Sequence, residues 1–289
     1  MPLSREGKER SFRENLILAH TLPGVAGIVN VIGYLQLGWF TSHVTGRVSG
    51  FGMNVVKEKY TDAFYLLGLV ATFVFGAMMA SALIELAKVK HWPRFQLPLL
   101  IEAFLLSVIL SLETSTNVPV SELPAADKII FALAVSTSMG LQNALVARLS
   151  GAVIRTTHLT GVSTDLGIEL VRVIRWFLTL SKDKSMSETV RHLAEVRKDA
   201  QLYRVRLYLT IFFTFMAGCV LGSYLNAIAG AFGMIVPVFI LVALVAYDRM
   251  AGVSEEDLGD DYNPKFDEKK AEAEAAAGAA TAVASESKT

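Results

Sequence analysis

A twelve-residue pattern occurs twice in this chain, and it limits the fold more than any other feature. Residues 41–52 read Thr-Ser-His-Val-Thr-Gly-Arg-Val-Ser-Gly-Phe-Gly, and residues 156–167 read Thr-Thr-His-Leu-Thr-Gly-Val-Ser-Thr-Asp-Leu-Gly. A Gly-x-x-Asn precedes each copy, Gly27 to Asn30 and Gly140 to Asn143. Thr72, Phe73, Gly76, Ser81 and Leu83 match Thr214, Phe215, Gly218, Ser223 and Leu225 at an offset of 142, whereas the motifs are 115 apart. The difference falls in a basic stretch near 181–203. The chain therefore looks duplicated, with one polar motif per half.

The motifs sit among apolar blocks. The chain is 53% hydrophobic and only 19% charged, below the roughly 25% charged residues of soluble domains. A helix needs roughly 20 apolar residues to span a bilayer core. Six segments meet that need: 16–38, 62–86, 95–112, 128–149, 204–225 and 227–247. Two more, 43–56 and 158–180, carry the motif and several charges. Charge at bilayer depth is costly, so these two are expected to re-enter, break or lie at the interface; the alternative is that the second spans fully, giving seven or eight crossings. The fold class expected is an all-α integral membrane protein.

Lys and Arg set orientation. Bases cluster before the first span (Arg5, Lys8, Arg10, Arg13), after the second (Lys88, Lys90, Arg94), after the fourth (Arg148, Arg155) and between 182 and 206. These would be cytoplasmic, which puts both termini inside and starts the two motifs on opposite sides. Three crossings separate the copies, so the halves should form an inverted repeat, with the two motif helices meeting near the core. Arg47, Lys57 and Lys59 fall outside in this scheme and oppose it. The domain plan is a basic N-terminus over 1–14, repeat 1 over 15–126, repeat 2 over 127–248, and a disordered acidic tail over 249–289. From Asp248 onward there are 11 acids and 5 bases, while the whole chain has a formal net charge of zero. Nothing in this balance points to nucleic acid. No removable signal peptide is evident, and Cys219 is the sole cysteine.

Thr and Ser cap helix starts, Gly allows close approach, and a helix N-terminus inside a membrane favours anionic or carbonyl groups. Candidate substrate- or ion-binding residues are therefore His43, Thr45 and Gly46 in one copy and His158, Thr160 and Gly161 in the other. Asn30, Asn143, Asp165 and Glu102 join them as polar groups within or beside spans. The histidines could titrate and couple transport to protons, or simply lock each helix junction. Asp165, Glu169 and Arg172 are spaced for intrahelical pairs, and an Arg47–Asp165 pair between copies is a further option. Pro23, Pro98 and Pro237 are candidate kinks. Small residues at Gly24, Gly27, Gly76, Ala80, Gly218 and Gly222 suit close helix packing. No Cys pair, zincin, Walker, dinucleotide or nucleophile-elbow pattern occurs, so neither a catalytic residue nor a cofactor is expected.

These residues give the chain a resemblance to the YoaK-like family of uncharacterised bacterial multi-pass membrane proteins. It rests on Gly27-Ile-Val-Asn30, Ser42-His43-Val44-Thr45-Gly46, Met139-Gly140-Leu141-Gln142-Asn143-Ala144, Thr157-His158-Leu159-Thr160-Gly161 and Thr164-Asp165-Leu166-Gly167, within about residues 14–248. The resemblance implies a cytoplasmic-membrane location and supplies no substrate. The function expected is a permease or channel for a small polar solute, with an anion and proton coupling among the options. The alternative is a non-transporting scaffold or sensor working through its cytoplasmic loop and tail. An intramembrane metal enzyme using His43, His158 and Asp165 is a third reading. The expected partners are the lipid bilayer, the solute and, as an option, further copies of the chain.

Overall fold

A computed structural model describes residues 12–90, 92, 95–116, 118–151, 154–183 and 200–251. The N-terminal bases, most of the basic loop and nearly all of the acidic tail lie outside the described residues. Within them the chain is helical, with no strand. The helices are α1 (Phe12–Leu37), α2 (Val44–Val56), α3 (Tyr60–Lys90), α4 (Gln96–Thr116), α5 (Ala125–Leu149), α6 (Leu159–Asp183), α7 (Ala200–Ala229) and α8 (Ile235–Ala251).

Among the described residues, four stretches are long and apolar enough to cross a membrane: Asn15–Leu37, Tyr60–Lys90, Ala125–Leu149 and Leu202–Met250. The last runs through both α7 and α8, and the apolar part of α4, Gln96–Leu110, is shorter. Their surfaces carry many exposed large apolar side chains, among them Phe64, Phe75, Met78, Phe104, Ile130, Val220 and Phe239. In water that surface would be costly; hydrocarbon removes the cost. The protein is an all-α membrane protein.

Two expectations need correction. The final segment does not begin at 227, because α7 runs on to Ala229 and a 3-10 turn, Gly230–Met234, intervenes before α8. Gly230 permits that break at φ +57°. Pro98 and Pro237 each stand third in their helices, α4 and α8, where the proline nitrogen has no intrahelical bond to lose. Only Pro23 lies inside its helix.

The helices pair across the two halves, and glycine makes the seams. A Cβ on Gly27 of α1 would run into the Phe215 carbonyl oxygen of α7, and one on Gly218 into the Gly24 carbonyl. In the other seam, a Cβ on Gly140 of α5 would hit the Phe73 carbonyl of α3, and one on Gly76 the Thr137 carbonyl. Gly27 and Gly140 are equivalent in the two copies, and so are Phe215 and Phe73. The two crossings thus match carbonyl for carbonyl. Such backbone approach is the means by which helices associate where no water drives them together.

The contacts also fix directions. Asn15 Nδ2 donates to the Tyr203 hydroxyl at 3.2 Å, and Gln36 Nε2 donates to Asn226 Oδ1 at 2.6 Å, so α1 and α7 run parallel. Leu69 meets Ser136 and Glu85 pairs with Arg148, so α3 and α5 also run parallel. One cavity brings together the end of α1 (Leu37) and the starts of α3 (Asp62) and α5 (Ala125). The α1/α7 pair therefore runs opposite to the α3/α5 pair.

Candidate functional site

Each motif copy is a hinge loop joining a long helix to a motif helix, and both loops are built by the same bonds. The long helix ends at a left-handed glycine, Gly38 (φ +88°) after α1 and Gly151 (φ +62°) after α5. That conformation is open to Gly without strain and closes a helix C-terminus. The asparagine two turns earlier then reaches forward to hold the loop. Asn30 Oδ1 accepts from the Ser42 backbone N–H at 3.3 Å and its hydroxyl at 2.9 Å. Asn143 Oδ1 accepts from the Thr157 N–H at 3.3 Å, the Thr157 hydroxyl at 3.0 Å and the Thr156 hydroxyl at 3.3 Å. This is why Gly-x-x-Asn and the Thr-rich motif occur together: one grips the other.

The histidine starts the next helix. The His43 carbonyl accepts from the Arg47 N–H at 3.2 Å, and the His158 carbonyl from the Val162 N–H at 3.1 Å. Each imidazole folds over the glycine three residues on. A Cβ on Gly46 would collide with the His43 ring, and one on Gly161 with the His158 ring. The His-x-x-Gly spacing is thus a ring-over-glycine contact at a helix start. One turn on, Ser49 Oγ donates to the Thr45 carbonyl at 3.1 Å and Thr164 Oγ1 to the Thr160 carbonyl at 3.0 Å. His43, His158, Thr45 and Thr160 are all exposed.

The two hinge loops do not meet. The first closes the end of α1 that lies level with Asn226 of α7. The second leads into α6, whose Glu169 pairs with Arg204 near the start of α7, level with Asn15 of α1. At 1.5 Å per residue, the stretch of α1 between Asn15 and Gln36 puts these levels roughly 30 Å apart. The expectation that the motif helices meet near the core is overturned, as is convergence of His43, His158 and Asp165 on a metal. Among the described residues, no three His, Cys, Asp or Glu side chains gather as metal ligands.

Charge is arranged differently beside each loop. Arg47 of α2 is buried. Its Nε and Nη2 donate to the Phe40 carbonyl at 3.1 and 2.6 Å, and its Nη1 donates to the Leu69 carbonyl at 3.0 Å and to Ser136 Oγ at 2.9 Å. Ser136 donates in turn to the Leu69 carbonyl at 2.7 Å. The guanidinium fork suits this multiple recognition. Arg47 thus ties α2 to both helices of the α3/α5 seam and does not pair with Asp165, which is exposed. It also ceases to be an outward surface base that opposes the topology. In the second copy Glu169 is buried and bridges Arg172 and Arg204, both at 2.9 Å. The Glu169–Arg172 pair is the one its spacing suggests.

Glu102 is fully buried in α4, and its Oε1 accepts from Gln142 Nε2 of α5 at 2.8 Å. The sequence nominates Glu102; Gln142, a polar group of the kind that bridges helices, carries its partner bond, and Ser138, which the sequence reading leaves out, shares one face of α5 with it at i, i+4 spacing. Two polar residues four apart in a span were the available signal. A separate cavity of about 340 Å³ opens beside the first hinge, where Trp39, Asn54, Asp62 and Lys128 line it.

Residues 18–247 match the model of a family described as a protein of unknown function, DUF1275. Over 144 residues the chain is 34% identical to the UPF0700 transmembrane protein YoaK of Bacillus subtilis (strain 168), a match covering 49% of this chain and 60% of that protein. No solved structure matches.

Proposed function

The chain belongs to the DUF1275 family, and on that premise we propose that it is a permease or channel for a small polar solute, built as an inverted repeat. In this reading α1, α3, α4, α5, α7 and α8 cross the bacterial cytoplasmic membrane. Both termini are cytoplasmic. The motif helices α2 and α6 lie at opposite faces. The observation that carries the reading is the repeated seam: Gly27 against Phe215 and Gly140 against Phe73, in helix pairs that run in opposite directions. A soluble or purely structural bundle has no need for two identical polar hinges at opposite ends. Alternating access uses such a pair, because rocking one body against its symmetry mate opens one end as it closes the other.

The bodies follow the seams and not the sequence halves. One is α1 and α7 with α6; the other is α5 and α3 with α2. Asn30 and Asn143 hold the loops from which each motif helix swings, and the ring-over-glycine contacts fix its first turn. The hinge residues are then moving parts, and solute meets polar groups that the rocking exposes. The cavity at the first hinge, with a carboxylate, an ammonium and a carboxamide on its wall, suits a small polar molecule. The scaffold reading rests on the loop and tail outside the described residues, and no observation favours it.

Two measurements test this. Single cysteines at Thr45 and Thr160, in a Cys219→Ala background, should be labelled from opposite sides of the membrane by an impermeant maleimide. Labelling of both from one side overturns the inverted plan. Liposomes containing the purified protein should swell in at least one of a panel of amino acids, sugars, phosphate and sulfate faster than empty liposomes. His43→Ala/His158→Ala should abolish that permeation while still inserting. Parent rates in the double variant remove the histidines from the mechanism, and a silent panel removes the permease.

A further inference from the structure

The α4/α5 contact buries more oxygen than it satisfies. Glu102, Gln142 and Ser138 are each 0% exposed. The Gln142 amide nitrogen donates to Glu102 Oε1, and Glu102 Oε2, Gln142 Oε1 and Ser138 Oγ have no hydrogen-bond partner among the described residues. All three are oxygens that accept. Among the described residues, the carboxylate receives one neutral amide and no Lys, Arg or His. A carboxylate held in an apolar interior needs a positive charge beside it, and the side chains around this one do not provide it.

We propose that Glu102, Gln142 and Ser138 form a binding site for a single hard monovalent cation, a proton or a sodium ion. The cation satisfies Glu102 Oε2 and draws in the Gln142 carbonyl and Ser138 hydroxyl oxygens. Position supports the role. Glu102 is six residues beyond Gln96, which bonds Asp248 and Arg249 near the end of α8. Gln142 is six residues before Arg148, which pairs with Glu85. Each therefore lies roughly 9 Å from the same polar end of the bundle, deep enough to be dry and near enough to load. Gln142 also precedes Asn143, which holds the second hinge loop, so occupancy acts one residue away from a moving part. The site is one-sided. Val25 and Val29 stand at the positions equivalent to Ser138 and Gln142, and Leu241 stands opposite Glu102 when Pro98 is matched to Pro237.

The proposal deepens the permease reading by naming its coupling ion, yet its test needs no transport. Dicyclohexylcarbodiimide attacks protonated carboxyl groups in apolar surroundings. Full-length protein in detergent is treated with it, and the adduct is located by peptide mass spectrometry. Glu102 should be labelled, labelling should slow as pH rises, and Glu102→Gln should abolish it. Slowing of at least threefold by sodium over choline at fixed pH identifies sodium as an occupant, and no sodium effect leaves the proton as the occupant. Ser138→Ala, which removes an oxygen without a partner, should fold and change the pH or sodium response. The melting temperature of the parent should follow the same ion, and that of Glu102→Gln should not. An unlabelled Glu102, or labelling indifferent to both pH and sodium, overturns the site whether or not the protein permeates solutes.

Discussion

The two hinge loops share a frame and differ in what lies behind it. Both have a left-handed glycine, an asparagine grip, a histidine at the helix start and a glycine under its ring. Behind the first loop sits a buried guanidinium, Arg47; at the matching place in the second stands Val162, also buried. Behind the second grip sits Gln142, beside Glu102; at the matching place in the first stands Val29. The frame is therefore a mechanical part used twice, and the buried polar groups were placed once each. Arg47 makes four hydrogen bonds to carbonyls and a hydroxyl and acts as a fastener. The Glu102 cluster is left short of a positive charge and acts as a receptor.

The seams carry the largest expected effect. Gly27→Val and Gly140→Val each drive a side chain into a backbone carbonyl that cannot yield without parting two helices, and overpacking of this kind costs about 3 kcal/mol or more. Both variants should lose the monodisperse peak in detergent chromatography. If one survives intact, the two crossings are not equivalent. Next comes the fastener. Arg47→Leu strands the Phe40 carbonyl and part of the Leu69 bonding, at about 1–3 kcal/mol for each buried group left unpaired. Arg47→Lys should not restore the loss, since one ammonium cannot span Phe40, Leu69 and Ser136. A melting temperature for Arg47→Lys equal to the parent's would break the contrast with Val162.

The grips come third. Asn30→Ala and Asn143→Ala should cost about 1 kcal/mol per lost hydrogen bond, with Asn143 the more sensitive because it receives three donors to the two of Asn30. Asn→Asp at either site keeps the acceptor and should be milder. Denaturation midpoints rank the four variants, and the reverse order would mean the loops are held by something other than the asparagines. The smallest effect separates hinge from helix. Gly52 and Gly167 are equivalent, helical and clear of any neighbour within 4 Å. Ala at either should stabilise by about 0.5–1 kcal/mol, whereas Ala at Gly46 or Gly161 must displace a histidine ring and should destabilise.

Much of this was legible because it is local. Apolar runs give the helices, and the paired motif gives the duplication, since both depend on neighbours in sequence. The grip of Asn30 on Ser42 spans twelve residues and could be suspected from co-occurrence alone. Partner choice was not legible. Gly27 and Gly76 announce close packing, but nothing in their neighbourhood says that Phe215 and Thr137 are the surfaces they approach. Direction of burial was also hidden. Arg47 reads as a surface base and points inward, whereas Asp165 reads as a functional acid and is exposed. A charge on a short helix between spans carries no periodic apolar context strong enough to fix its face. The left-handed glycines Gly38 and Gly151 were in plain view, each just past the end of an apolar run, and mark the loops more sharply than the histidines do.

The swapped seams bear on how the protein is made. The groove on α1 that Gly24 and Gly27 open is filled by a helix that starts at Ala200, so a helix of the first half waits for one made more than 150 residues later before it has a mate. The helices of the first half cannot finish assembling alone. Synthesis cut between α4 and α5 should yield two fragments that are each degraded singly and are rescued when made together.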